Sequence, residues 1–222
     1  MRKLRVLALM HDYMVPPRDT SGHDLATVSW KTEYDVLSTL ADLGHDVQQL
    51  GVKDELTGIR QAITEGNPHI AFNLLEAFHE VVSFDQNLVA YLELLRMPYT
   101  GCNPRGLLLS RDKALSKKLL AYHQIPVPDF AVCRMSRAVT RPKRMEFPLI
   151  VKSLTQDASL GISQASVVHD DAKLVDRVQF IHQSLGTDAI IEQFVEGREL
   201  YVGIMGIHRL QCFPVWELKF TK

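Results

Sequence analysis

No Gly-x-x-x-x-Gly-Lys-Ser/Thr occurs in this chain, and no Gly-x-Gly-x-x-Gly follows its first apolar run. The first absence excludes a P-loop on motif grounds, and the second removes the dinucleotide fingerprint. Only three cysteines are present, Cys102, Cys133 and Cys212, far apart and odd in number. Neither a disulfide framework nor a zinc knuckle follows from them, and a reducing cytoplasm is the expected location. The nine histidines show no His-x-x-x-His spacing, and no Cys-x-x-Cys occurs. No charge of one sign dominates: the net charge is −1. That balance gives no reason to expect nucleic acid or an anionic membrane as a partner. No apolar run approaches the roughly 20 residues that span a bilayer. The basic, apolar start from Met1 to Met10 is too short for a signal peptide, lacks a small-residue cleavage site and runs into His11-Asp12, so it reads as a first strand.

What is present is ordinary globular material, 46% hydrophobic and 23% charged, in 222 residues. That length holds one large domain or two small ones. In the first hundred residues strands and helices alternate. Leu4 to Met10 is a continuous apolar run, as in a parallel strand buried on both faces. A helix is expected from Ser29 to Leu43, with Trp30, Tyr34, Leu37, Leu40 and Ala41 at helical spacing and Gly44 closing it. Asp46–Val52 and His69–Asn73 read as strands, and Gly58–Glu65 and Phe84–Leu95 as helices. This alternation predicts an α/β fold with a parallel, doubly wound sheet.

After a boundary near Pro98 to Pro104 the pattern changes. A helix is expected over Arg111–His123, then strands over Phe130–Cys133, Leu149–Lys152 and Ile162–Val168. Asp170 or Asp171 caps a helix running to about Leu185. Ala189–Phe194 reads as a strand, and Glu199–Ile207 with Leu210–Val215 as an antiparallel hairpin through His208-Arg209. Helices on an antiparallel sheet describe an α+β lobe.

Two segments carry chemistry. Lys152 ends an apolar strand beside a polar loop, Gln156 to Gly161, that includes Ser159. An ammonium there suits phosphate, although a solvated strand-end lysine is the plain alternative. Some forty residues later, Glu192 and Glu199 flank the turn at Glu196-Gly197. A carboxylate accepts ribose hydroxyls or an adenine amino group, and solvated hairpin acids are the plain alternative. Lys113 sits on the preceding helix, expected over Arg111–His123. Three such features in one chain point to ATP.

The same residues resemble the D-alanine–D-alanine ligases and their relatives in the ATP-grasp superfamily. The resemblance rests on Tyr99-Thr100-Gly101, Ser110-Arg111-Asp112-Lys113, Ile125-Pro126-Val127-Pro128, Pro148 to Lys152, Ser159-Leu160-Gly161-Ile162, and Glu192-Gln193-Phe194-Val195 with Glu196-Gly197-Arg198-Glu199. It is weak over the first eighty residues and good from about 84 to 207. It implies a pre-ATP-grasp domain over 1–104, an ATP-grasp nucleotide-binding lobe over 105–196, and the start of an incomplete C-terminal lobe over 197–222. Lys113 and Lys152 would contact phosphates. Glu192 and the backbone near Phe194 and Val195 would hold adenine, and Glu199 the ribose. The loop with Ser159 and Gly161 would close over the triphosphate. ATP and Mg2+ are the implied cofactors, and a small carboxylate and an amine the implied substrates, joined as an amide through an acylphosphate.

Three departures accompany the resemblance. Gln156-Asp157-Ala158 stands where the family shows a Glu-Gly-Ser type sequence. Thr27 falls where the family places a substrate-binding glutamate, with Glu33 displaced by a helical turn or more. The family's magnesium ligands lie C-terminal to the residues present here, so no metal ligand or catalytic residue is assigned, and Glu217 stands toward that edge. A nucleotide-binding or interaction module without catalysis is the second reading, and an unrelated α/β ligand-binding protein the third. An incomplete lobe would expose apolar surface, which leaves a homodimer open as a partner.

Overall fold

A computed structural model describes residues 2–157, 159–207 and 209–219. The loop position Ala158, the expected hairpin turn at His208, and Phe220 to Lys222 lie outside the described residues. The chain forms two compact units, Met1–Gln124 with Leu154–Leu160, and Ile125–Ser153 with Gly161–Lys222.

In the first unit, β1 (Arg5–His11) is central in a parallel sheet, with β2 (Asp46–Val52) and β3 (Ile70–Asn73) on its two sides. Val6, Leu7, Ala8, Leu9 and Met10 are all buried, which is why the run shows no polar alternation. Helix α1 (Lys31–Asp42) contacts β2, as does α2 (Thr57–Gly66), which Asn67 ends in the left-handed region at φ 43°. The expected apolar row of α1 is only half-buried, and Ala41 is exposed; the residue buried on this helix is Glu33. Leu7, Leu9, Ile59, Leu88 and Leu92 form the core, the last two from α3 (Asp85–Leu94). Each such side chain contributes about 1.5–3 kcal/mol by leaving water.

The single helix expected over Arg111–His123 is two. Helix α4 (Pro104–Arg111) begins at Asn103, whose side chain accepts from the Gly106 N–H at 2.8 Å, with Pro104 in the first helical position. Asp112 then takes an extended conformation and caps α5 (Lys113–Tyr122), accepting from the Leu115 N–H at 2.9 Å. Arg111 is thus the last residue of one helix and Lys113 the first of the next.

The second unit has an antiparallel sheet in the order β4 (Phe130–Cys133), β7 (Ala189–Gln193), β5 (Leu149–Ser153), β6 (Val167–Val168). Helix α6 (Asp171–Leu185) packs on β5, β6 and β7. Asp170 caps it, and Gly186 ends it at φ 63°. The strand expected over Ile162–Val168 shrinks to Val167–Val168. Gly161 turns the chain at φ 72°, and Ser163 and Ser166 cap a 3-10 turn reciprocally, so only the last two residues pair. A hairpin of β8 (Glu199–Met205) and β9 (Gln211–Leu218) completes the unit.

Candidate functional site

Strand β5 alternates strictly. Leu149 and Val151 join Ala189 and Ile191 of β7 in the core under α6. Ile150 and Lys152, with Ile190 and Glu192, therefore belong to the opposite face. In the β5–β7 register Lys152 lies opposite Ile190 and Ile150 opposite Glu192, so Lys152 and Glu192 are diagonal neighbours. The Lys152 ammonium donates to the Glu192 Oε2 at 3.0 Å. The Glu192 side chain is 6% exposed and that of Lys152 26%. A carboxylate this deeply buried requires a charged or hydrogen-bonding partner, because its desolvation is otherwise uncompensated.

Beyond β7 the chain is pinned to the start of β5. The Phe194 N–H donates to the Pro148 carbonyl at 3.1 Å, and the Gln193 amide nitrogen reaches the same oxygen at 3.2 Å. Phe194 therefore offers a ligand its carbonyl rather than its N–H. Val195 is exposed. Glu199 opens β8, exposed, and accepts from the Tyr201 hydroxyl, which raises the phenol pKa of Tyr201 above its ordinary value.

The polar loop after β5 is held at both ends. At its start, within the first unit, the Lys113 ammonium donates to the Gln156 carbonyl at 2.6 Å, and the Lys113 N–H to the Leu154 carbonyl at 3.2 Å. The Asp157 carboxylate lies 2.6 Å from Arg111 Nη1 and 3.9 Å from Lys113 Nζ. The other guanidinium nitrogen of Arg111 is bound to Asp85, whose side chain is 5% exposed. At its end, within the second unit, Arg177 of α6 donates to the Gly161 carbonyl and to the Ser166 hydroxyl, the latter at 2.9 Å. Its guanidinium stacks 4.4 Å over the Phe180 ring, and burial lowers its pKa. Gly161 is required here: its φ is +72°, and a Cβ would come within 2.8 Å of Leu185. Ser159, in the turn between, has φ 57°.

Lys152 and Glu192 are thus brought together, Lys113 is joined to the loop, and Val195 and Glu199 stand exposed beyond the sheet. Sequence reasoning missed Arg111 and Asp85. The signal available was Asp112: a capping residue between two charged neighbours marks a helix start and puts Arg111 and Lys113 on either side of the break. Thr27 is exposed and hydrogen-bonds within its own turn, to Asp24 at 3.2 Å. Among the described residues no three His, Cys, Asp or Glu side chains cluster as a metal site, and no helix is long and apolar enough to cross a membrane.

The family model described as "D-ala D-ala ligase C-terminus" matches residues 119–222. An uncharacterized protein of Sinorhizobium fredii is 31% identical over 83% of this chain and 54% of its own length. A D-alanine–D-alanine ligase of Syntrophotalea carbinolica is 31% identical over 80% of this chain and 55% of its own. A D-alanine–D-alanine ligase from Bacillus anthracis, solved with ATP, has a TM-score of 0.66 at 19% identity, covering 97% of this chain and 72% of that one. The VanG D-Ala:D-Ser ligase of Enterococcus faecalis has a TM-score of 0.66 at 16% identity, covering 97% and 70%. The solved structures share the fold of this protein. The chain is similar to D-alanine–D-alanine ligases along most of its length, and its residues 119–222 match the C-terminal model of that family. It spans about half the length of the curated relatives it matches.

Proposed function

We propose that this chain supplies the ATP-binding part of a carboxylate–amine ligase. The observation that carries the reading is the Lys152–Glu192 pair, a cation and a carboxylate 3.0 Å apart on the face of the sheet away from α6. Residues 1–104 form the pre-ATP-grasp domain, 105–196 the nucleotide-binding lobe, and 197–222 open the C-terminal lobe. Lys152 and Lys113 take phosphate oxygens. Glu192 and the Phe194 carbonyl face the adenine with Val195 beside it, and Glu199 takes the ribose hydroxyls. Ser159 and Gly161 belong to the loop that closes over the triphosphate.

The likeness to D-alanine–D-alanine ligases supports the reaction. A carboxylate oxygen of one substrate attacks the γ-phosphorus and ADP leaves. The amine of the second attacks the acylphosphate carbon, phosphate leaves, and the amine loses a proton as the amide forms. The protein contributes alignment and positive charge rather than a covalent nucleophile, and a closed loop keeps water from the acylphosphate. Mg2+ accompanies ATP in this reading, but the described residues offer no cluster to hold it, so no step is routed through it. The substrates are a small carboxylate and an amine. The displacement of Glu33 and the presence of Thr27 speak against D-alanine as the first. The free cysteines agree with a cytoplasmic protein. The exposed apolar residues of β8 and β9 support self-association into a homodimer.

Calorimetry with ATP tests the reading. Lys152→Ala is expected to weaken binding at least about tenfold, the scale of one lost charge-assisted contact. Unchanged affinity overturns the assignment. Urea unfolding of Lys152→Ala shows what the stranded Glu192 carboxylate costs the fold and so separates lost binding from lost folding. ADP release that depends on an added amine tests the ligase step, and a chain that binds ATP without it is the non-catalytic module.

A further inference from the structure

The Asp157 carboxylate is held by the two cations at the α4–α5 break. Arg111 reaches it at 2.6 Å and Lys113 lies 3.9 Å away. Arg111 is itself fixed by the buried Asp85, so its guanidinium has one side locked and the other turned to Asp157. The network balances to zero net charge with no ligand: Arg111 and Lys113 against Asp85 and Asp157. A nucleotide phosphate entering beside Lys113 meets a carboxylate already in place, and like charges at that distance repel.

We propose that Asp157 is an internal anion that occupies the Arg111–Lys113 pair in the ligand-free chain and is exchanged for nucleotide phosphate, with Arg111 a further cation of the phosphate site. This rests on the nucleotide reading of Lys113 and Lys152. Asp157 is half-exposed, so solvent screens the contact and it is weak enough to be given up. Asp85 is nearly buried and stays with Arg111 throughout. The exchange sets the ATP concentration at which the loop is released, and it makes loop position and phosphate occupancy alternatives.

The test uses the whole chain and three variants. Asp157→Asn keeps the side-chain shape and removes the charge; it is expected to bind ATP about two- to fivefold tighter. Asp42→Asn removes the same charge from an exposed site on α1 outside the network and is expected to match the parent chain. Hydrogen exchange of amides 155–161 without nucleotide is expected to be faster in Asp157→Asn than in the parent. Equal or weaker ATP affinity in Asp157→Asn overturns the exchange, as does equal tightening in Asp42→Asn. Unchanged loop protection overturns the latch. Lys152→Ala separates the two readings: if it weakens ATP binding while Asp157→Asn does nothing, only the internal anion is refuted. If Lys152→Ala also leaves affinity unchanged, the nucleotide site itself is refuted.

Discussion

Period-two alternation decides what Lys152 can do. Leu149, Val151 and Ser153 are buried, and Lys152 sits between them on the other face, where its ammonium meets Glu192. The same arithmetic was visible in the sequence for Lys152, because Leu149, Ile150 and Val151 precede it. It was not visible for the pair, since a diagonal contact depends on strand register and the two residues are forty positions apart. Tyr99 offers a test at this scale. Burial, with a 2.8 Å hydrogen bond to Glu93, pushes its pKa up to about 12 from 10.0. A raised folded-state value favours the protonated phenol, so this stabilisation is complete below pH 10 and lost as the pH rises toward 12. Phenolate absorbance of the parent chain minus that of Tyr99→Phe is expected to titrate near pH 12. Glu93→Gln should lower that midpoint only in part, because burial is the larger cause. A difference curve centred at 10 contradicts the assignment.

Elements were legible wherever local chemistry and burial agree. β2 matches its expected span, and β1, β4, β5, β7, α2, α3 and α6 lie within two residues of theirs, because apolar runs and caps coincide there. The failures have local causes. Across Arg111–His123 the helical residues run on into Asp112 without Gly or Pro, so the break at its extended backbone was hidden, and Pro104 was read only as the end of a domain boundary although it opens α4. Over Ile162–Val168 apolar content suggested a strand, but the left-handed turn at Gly161 and the Ser163–Ser166 cap consume most of it. These two segments hold the ends of the polar loop, so the contacts of Arg111 and Arg177 with it were hidden where the elements were. Asp112→Ala removes the α5 cap and is expected to destabilise the chain by about 1 kcal/mol in urea unfolding. ATP affinity should fall with it, since Lys113 is the first residue of α5. A loss of stability with affinity intact would show that the cap does not position Lys113.

For the molecule as a whole, the parallel three-stranded sheet and the antiparallel four-stranded sheet each have a continuous core, whereas β8 and β9 have none. Every residue of both strands is exposed, and among them are Leu200, Tyr201, Ile204, Phe213, Val215 and Trp216. An isolated two-stranded hairpin is marginal in water, and a contiguous apolar surface with unpaired strand edges favours association. The sequence showed the hairpin, because its apolar residues and turn are local. It could not show that both faces are bare, since burial depends on what packs against them. Two measurements follow. Amides of β8 and β9 are expected to exchange far faster than those of β1, β5 and β7 in dilute solution, where a hairpin without a core opens locally. Raising the concentration is expected to slow that exchange and blue-shift Trp216 emission as the chain associates, and Trp216→Lys with Val215→Lys should keep it monomeric in sedimentation. A hairpin that is protected at low concentration, in a chain that stays monomeric at high concentration, would mean that the apolar face is stable as it stands and is not an association surface.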